Sequence, residues 1–258
     1  MRNILIVLAL IFSISACASK TLNEIPAEVS MKKGQELFDR KKYAKAAEEF
    51  EAAIRNARTP ELAGSAQLML ADSHFFDKSY NLAIPSYETF LRIYPFSPEA
   101  SRAKLRLGLC YYRQLDSPDR DMKNTEEALR VFLELRNQNP AYAKEFELDE
   151  KIVELRGLMA ERELIIAKFY FRTYEERAAV RRLQYIITNY PDTDIYPESL
   201  LLLGNYYADR EGYESEAIKY YRAIIREFPN TKYSSSVTGK LSKLLPRITN
   251  ETRQLEMN

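Results

Sequence analysis

Five times along this chain the same order of small and large side chains returns, and a chain built this way has few ways to fold. Each copy opens with a small residue followed three positions later by an aromatic or apolar one. An alanine comes next, then a large residue four on, then an apolar residue three further. The copies are Gly34, Leu37, Ala46, Phe50, Ala53, and then Ala71, His74, Ala83, Tyr87, Phe90. They continue with Gly108, Tyr111, Ala128, Phe132, Leu135 and with Ala167, Tyr170, Ala179, Leu183, Ile186. The last is Gly204, Tyr207, Ala217, Tyr221, Ile224. Steps of three and four put such residues on one face of a helix. Small residues are needed where two helices cross closely, and large ones fill the gaps between neighbouring pairs. Pro95, Pro140, Pro191 and Pro229 follow the last four copies. Proline lacks an N–H and cannot continue the helical ladder, so each should end a second helix. Ser97, Thr193 and Thr231 are placed to cap the helix that comes next.

The pattern resembles that of tetratricopeptide repeats, paired helices in a unit of about 34 residues. It predicts an all-α solenoid of five helix-turn-helix units with a C-terminal capping helix. The aligned alanines 46, 83, 128, 179 and 217 are 37, 45, 51 and 38 residues apart, so two units are enlarged. The third has a hairpin about eight residues too long, from Gln114 to Thr125. The fourth has seventeen extra residues whose helical period runs through Leu148, Ile152, Leu155 and Met159, which predicts one long helix from about Glu147 to Arg172. Gly157 inside it costs about 1 kcal/mol relative to alanine. This helix is expected to join an amino-terminal half, residues 27–145 with units one to three, to a carboxy-terminal half, residues 146–246. Tyr233 to Leu245 reads as the capping helix, and residues 247–258 as a polar, flexible tail.

The start of the chain carries a different signal. Met1 and Arg2 precede an apolar run from Ile4 to Ile14, then Ser15, Ala16 and Cys17. The run is shorter than the roughly 20 apolar residues that span a bilayer and reads as a secretion signal, residues 1–16. With Cys17 at its end it resembles the bacterial lipobox, in which the thiol is joined to diacylglycerol and the chain is cut before it. Each buried CH₂ stabilises membrane association by about 0.8 kcal/mol, so two or three acyl chains form a durable anchor. Ala18 follows, not the aspartate that retains enterobacterial lipoproteins at the inner membrane, and the resemblance implies the outer membrane, on its periplasmic face. Residues 17–26 form a lipidated tether without periodicity.

Charge excludes one class of partner. The chain has 38 Lys and Arg against 37 Asp and Glu, and loss of Arg2 with the signal leaves 37 of each. Nucleic acid binding needs a basic stripe, which a neutral chain gives no reason to expect. Cys110, in a helical stretch, reads as a small buried thiol.

In a tetratricopeptide array the first helices line the concave face, and the residue after the aromatic slot points toward it. Here that residue is Phe38, Phe75, Tyr112 and Phe171 in the first four units and Ala208 in the fifth. Such rings would suit an extended peptide with apolar side chains; alternatively they pack between helices. Asp72 and Arg113 fall on the same face, where they could hold peptide backbone or a terminal carboxylate, or simply be solvated.

As a whole the mature chain resembles the BamD (YfiO) family, lipoprotein subunits of the outer-membrane β-barrel assembly machine. The lipobox, five units, long third hairpin and elongated fourth unit occur there in this order. The most specific part is Asp119-Arg120-Asp121 followed by Thr125, Ala128 and Phe132. The resemblance implies a periplasmic adaptor without enzymatic activity. It implies that the amino-terminal half receives the carboxy-terminal targeting segment of unfolded outer-membrane proteins. It also implies that the carboxy-terminal half docks on the central barrel subunit, BamA, in a machine with other lipoproteins. An arginine nine residues before the fourth unit's terminal proline lies at that docking surface, and Arg182 matches it by spacing. The sequence departs from the family at Met122-Lys123-Asn124, where glutamine or proline is common, and it shows no specific groove motif. Asp119, Arg120 and Asp121 are read either as a partner contact or as an internal clamp in which Arg120 tied to carboxylates holds the loop.

Catalysis finds no foothold. His74, the only histidine, occupies a packing slot, and no set of residues has metal-ligand spacing or the form of a phosphate-binding glycine loop. No cofactor is expected beyond the covalent lipid on Cys17. Two other readings stand beside the adaptor. One is a pilotin-like lipoprotein that assists assembly of type IV pili. The other is a cell-envelope enzyme or its regulator, for which the repeats leave no room for a catalytic domain.

Overall fold

Every slot of the repeated pattern falls on a helix. The computed structural model describes residues 25–256, with side chains described as far as Leu245. The secretion signal, Cys17 and most of the tether lie outside the described residues. Those residues form twelve α-helices and no strand. They are α1 (Ala27–Asp39), α2 (Tyr43–Asn56), α3 (Pro60–Phe76), α4 (Tyr80–Ile93), α5 (Ala100–Tyr112) and α6 (Lys123–Gln138). After the short α7 (Pro140–Glu145) come α8 (Leu148–Arg172), α9 (Glu176–Asn189), α10 (Tyr196–Ala208), α11 (Glu214–Glu227) and α12 (Lys232–Glu256).

The five pairs α1/α2, α3/α4, α5/α6, α8/α9 and α10/α11 each bring the small slot of the first helix against the large slot of the second. An added Cβ at Gly34 would lie 2.7 Å from the Phe50 ring, and at Gly108 and Gly204 it would run into Phe132 and Tyr221. Ala71 and Ala167 fill the slot in the other two pairs, and both are fully buried. So are the second-helix alanines 46, 83, 128, 179 and 217 and the large residues Phe50, Tyr87, Phe132, Leu183 and Tyr221. Removing side chains of this size from water stabilises the fold by about 1.5–3 kcal/mol each.

The chain divides into two compact units after Ile93. This boundary falls inside the stretch 27–145 that the sequence groups as one half. Unit one holds the first two pairs, with α3 also packed on α2. Unit two holds the rest. There α8 lies against both α6 and α9, and α12 covers α11, with Val237 and Leu244 buried in a core shared with Leu200, Ile218 and Ile224.

The long helix begins one residue inside the expected span, after Glu147, whose φ of 53° is left-handed. The helix α12 runs on to Glu256, past the expected end at Leu245. The capping expectation is met only in part. Thr231 accepts from the Ser234 N–H at 3.4 Å, at the start of α12. Thr193 instead donates to the Tyr190 carbonyl at 2.9 Å, and Ser97 accepts from Glu99 in the turn before α5. Neither reaches an N–H inside the next helix, because each lies two residues before the N-cap position, at Glu99 and Ile195. Side-chain caps also form at Thr59 on α3 and Asn139 on α7.

Candidate peptide groove and docking surfaces

In unit two the first helices α8 and α10 leave an open groove between them. A cavity of about 700 Å³ is floored by Ile165, Phe171, Leu202 and Tyr206, the two rings 6.1 Å apart. First helices of successive units line the concave side of such a stack, where a groove can form between them. Charged groups stand on the walls. Arg210 lies 3.6 Å over the Tyr206 ring, donates to the Tyr206 carbonyl at 2.5 Å and pairs with Glu176. Lys168 pairs with Glu198 at 2.6 Å. Arg172 also lines the groove and forms no ion pair among the described residues. The arrangement can take an apolar side chain on its floor and an anionic group at Arg172.

The other residues expected to line a groove are placed differently. Asp72 is not on an open face: it is 1% exposed and accepts the Tyr87 hydroxyl at 2.6 Å. Phe75 is buried too, 6.0 Å from Tyr80 and 6.5 Å from Tyr87. Phe38 is half-buried in an edge-on cluster with Tyr43 and Phe76. Its neighbour in that cluster, Phe76, is the ring that reaches solvent, at 40% exposure. Tyr112 is half-buried, its ring 6.2 Å from Phe132, and its hydroxyl donates to Glu154 on α8. Burial, and then the bond to Glu154, push the Tyr112 phenol up to about 12. Arg113 is exposed at the end of α5, and Ala208 packs against the core of the last units. Phe171 is thus the expected aromatic that lines this groove. His74 is half-buried in its packing slot, and burial lowers its pKa against the opposing pull of Glu51 and Asp77. Cys110 is a fully buried thiol.

The long hairpin is held by an arginine that the sequence did not single out. Arg162 on α8 donates to the carbonyls of Pro118 at 3.1 Å and Arg120 at 2.6 Å. Arg120 itself is exposed and lies 3.9 Å from Asp116, too loose for the internal clamp expected of it. Its flanking acids act locally: Asp119 accepts from Ser117 at 2.5 Å, and Asp121 accepts from the Lys123 N–H at 3.0 Å at the start of α6. The bond from Ser117 and the nearby cations hold the Asp119 carboxyl below its ordinary value.

Arg182 sits on the outer side of α9. It donates to Glu163 on α8 at 2.9 Å, which raises the guanidinium pKa further. A shallow depression of about 260 Å³ beside it is lined by Tyr170, Ala178, Arg181 and Tyr185. In the turn before α9, Tyr174 is 90% exposed with φ at 62°. Lys41, Lys78 and Gly212 hold the matching left-handed positions in other hairpins, so a bulky aromatic there costs backbone energy and gains no packing. Tyr174, Arg181 and Tyr185 were not singled out by sequence; the step of four from Arg181 to Tyr185 on one helix face was the available signal for those two.

Among the described residues no group of three or more His, Cys, Asp or Glu side chains could hold a metal ion, and no helix is long and apolar enough to cross a membrane.

Comparison with known proteins places these features in a family. The chain is 29% identical to the outer membrane protein assembly factor BamD of Rickettsia prowazekii, over 86% of this chain and 89% of that protein. It is 28% identical to the factor of the same name in Caulobacter vibrioides, over 74% of this chain and 65% of that one. For the Neisseria meningitidis serogroup A factor the identity is 25%, over 79% and 83%. Among solved structures, a thermophilic TPR protein of Thermus thermophilus aligns over 85% of this chain and 98% of its own at 21% identity, with a TM-score of 0.36. The all-helical fold rests on the helices themselves. The family model described as YfiO, outer membrane lipoprotein, matches residues 23–215. The chain therefore belongs to the YfiO family of outer membrane lipoproteins.

Proposed function

We propose that the chain is a lipid-anchored adaptor on the periplasmic face of the outer membrane, acting in assembly of outer-membrane proteins as a member of the BAM complex. Cys17 carries the lipid, and the tether holds the helical units clear of the bilayer. The observation that carries the adaptor reading is the open apolar groove between α8 and α10, with Arg172 at its wall. It suits an extended client segment ending in an apolar side chain and a carboxylate, which a guanidinium can hold through paired hydrogen bonds. The helix α9 supplies the second surface. Tyr174, Arg181, Arg182 and Tyr185 have the aromatic and arginine composition of interface hot spots, and the barrel subunit BamA is the partner we assign to them. The exposed side chain of Arg120 is free to meet another subunit.

Co-purification from detergent-solubilised membranes tests this reading. Depletion of the protein is expected to lower many barrel proteins at once, and Arg182→Glu to weaken capture of BamA while the variant stays folded. Cys17→Ser should abolish palmitate labelling. Normal barrel levels on depletion would overturn the assignment, and undiminished capture would remove Arg182 from the docking surface.

A further inference from the structure

A second cleft in unit two lies on the side of the second helices, between α9 and α11. Its volume is about 520 Å³. Ile187 of α9, Leu200 of α10 and Ile218 of α11 make an apolar floor. Its rim is cationic. Lys219, Arg222 and Arg226 recur at steps of three and four on α11, which puts them on one exposed face. Glu227 is the single acid on the lining, and it pairs with Arg226 at 2.5 Å. Glu216, just outside, accepts from Ser215 at 2.7 Å. Lys219 lies 6.0 Å over the Tyr220 ring, and neither Lys219 nor Arg222 forms an ion pair among the described residues.

We propose that this cleft binds an acidic segment of a partner protein, with leucine-sized side chains on the floor and carboxylates at Lys219 and Arg222. Three cations against one acid on the lining, with Lys219 and Arg222 in no ion pair among the described residues, favour an anionic partner. The concave apolar floor selects a polypeptide over a lipid surface, because a flat layer of headgroups cannot fill it. The site is separate from the groove between α8 and α10 and from the Arg182 face, and it needs neither to act.

The test uses the full chain in detergent and a fluorescein-labelled short peptide of alternating leucine and glutamate, read by fluorescence anisotropy. Binding should weaken with added salt and fall at least about tenfold in the double variant Lys219→Glu, Arg222→Glu. Circular dichroism reports that the variant is folded, and Lys219→Gln with Arg222→Gln should give a smaller loss in the same direction. The glutamine counterpart of the peptide should bind poorly, and Arg182→Glu should bind the acidic peptide as the wild type does. The proposal is overturned by absent binding, by equal binding of the glutamine peptide, or by an unaffected double variant. An equal loss in Arg182→Glu would move the acid-binding site to that face. Vesicles rich in anionic phospholipid that bind the chain in a Lys219- and Arg222-dependent way, with no competition from the peptide, would assign the cleft to a membrane surface instead.

Discussion

Arg162 donates to the carbonyl oxygen of Arg120 at 2.6 Å, so the backbone of the long hairpin is pinned by a helix more than forty residues later in the chain. The side chain of Arg120, which carries the family-like motif, takes no part in that bond. The two roles, holding the loop and presenting a charge, belong to different arginines.

Arg162→Ala should therefore loosen the hairpin. Loss of a charged donor to two carbonyls is expected to cost about 1.5–3 kcal/mol, toward the lower end because one bond is exposed. Limited proteolysis between residues 114 and 122 should speed up. Arg120→Ala should leave the cleavage rate unchanged, and a loop equally labile in both variants would refute the division of roles.

Two glycines give opposite outcomes. Gly108→Ala drives a methyl group into the Phe132 ring and should destabilise by about 1–3 kcal/mol. Gly157→Ala lies in α8 with nothing within 4 Å of the new Cβ, and should stabilise by about 0.5–1 kcal/mol. Chemical denaturation of the two variants checks the signs.

Tyr87→Phe removes the phenol that donates to the buried Asp72 and should cost about 1–3 kcal/mol. Tyr87 fills the same slot as Phe50 and Phe132, so the ring still fits, and the loss isolates the hydrogen bond. A melting temperature unchanged from wild type would show that this hydrogen bond adds nothing to stability.

Arg156 and Asp192 make a pH-dependent link between α8 and the turn after α9. Arg156 contacts both carboxylate oxygens, at 2.8 and 2.5 Å, and its hydrogen bond is the main cause of the lowered Asp192 pKa. A depressed carboxylate contributes stability that is fully present above its ordinary value of 3.8 and is lost as pH falls through the folded value. Melting temperatures at about pH 5 and about pH 3 should fall less steeply in Arg156→Ala than in the wild type. Parallel slopes would exclude the pair as an acid-sensitive link.

Tyr174→Gly should relieve the left-handed backbone and leave stability unchanged or raised by up to about 1 kcal/mol, because its ring packs against nothing. The same substitution is expected to weaken capture of the α9 partner. A variant with full capture would show that the exposed ring is not a contact.

Much of the architecture is legible in the sequence. The slots Gly34, Ala46 and Phe50, and their equivalents in later units, could be read because the period of a helix turns a linear spacing into a face. The long α8 was legible for the same reason. The groove residues were harder. Phe38, Phe75, Tyr112 and Phe171 share one repeat position, yet Phe75 is buried, Phe38 and Tyr112 contact other rings, and Phe171 lines a cavity. Asp72 read as a surface acid and lies in the core, because nothing in the linear pattern says that the Tyr87 hydroxyl will reach it.

By itself, the sequence determined the helices, their pairing and the family, since each depends on local periodicity and on which residues are small enough for close crossing. Tertiary structure alone decided which side chains face solvent, which arginine holds the long hairpin, and where the open clefts lie. Those outcomes depend on contacts between residues tens of positions apart, such as Arg162 with Arg120 and Tyr112 with Glu154, whose geometry is fixed by how neighbouring pairs stack and not by the order of residues within a pair.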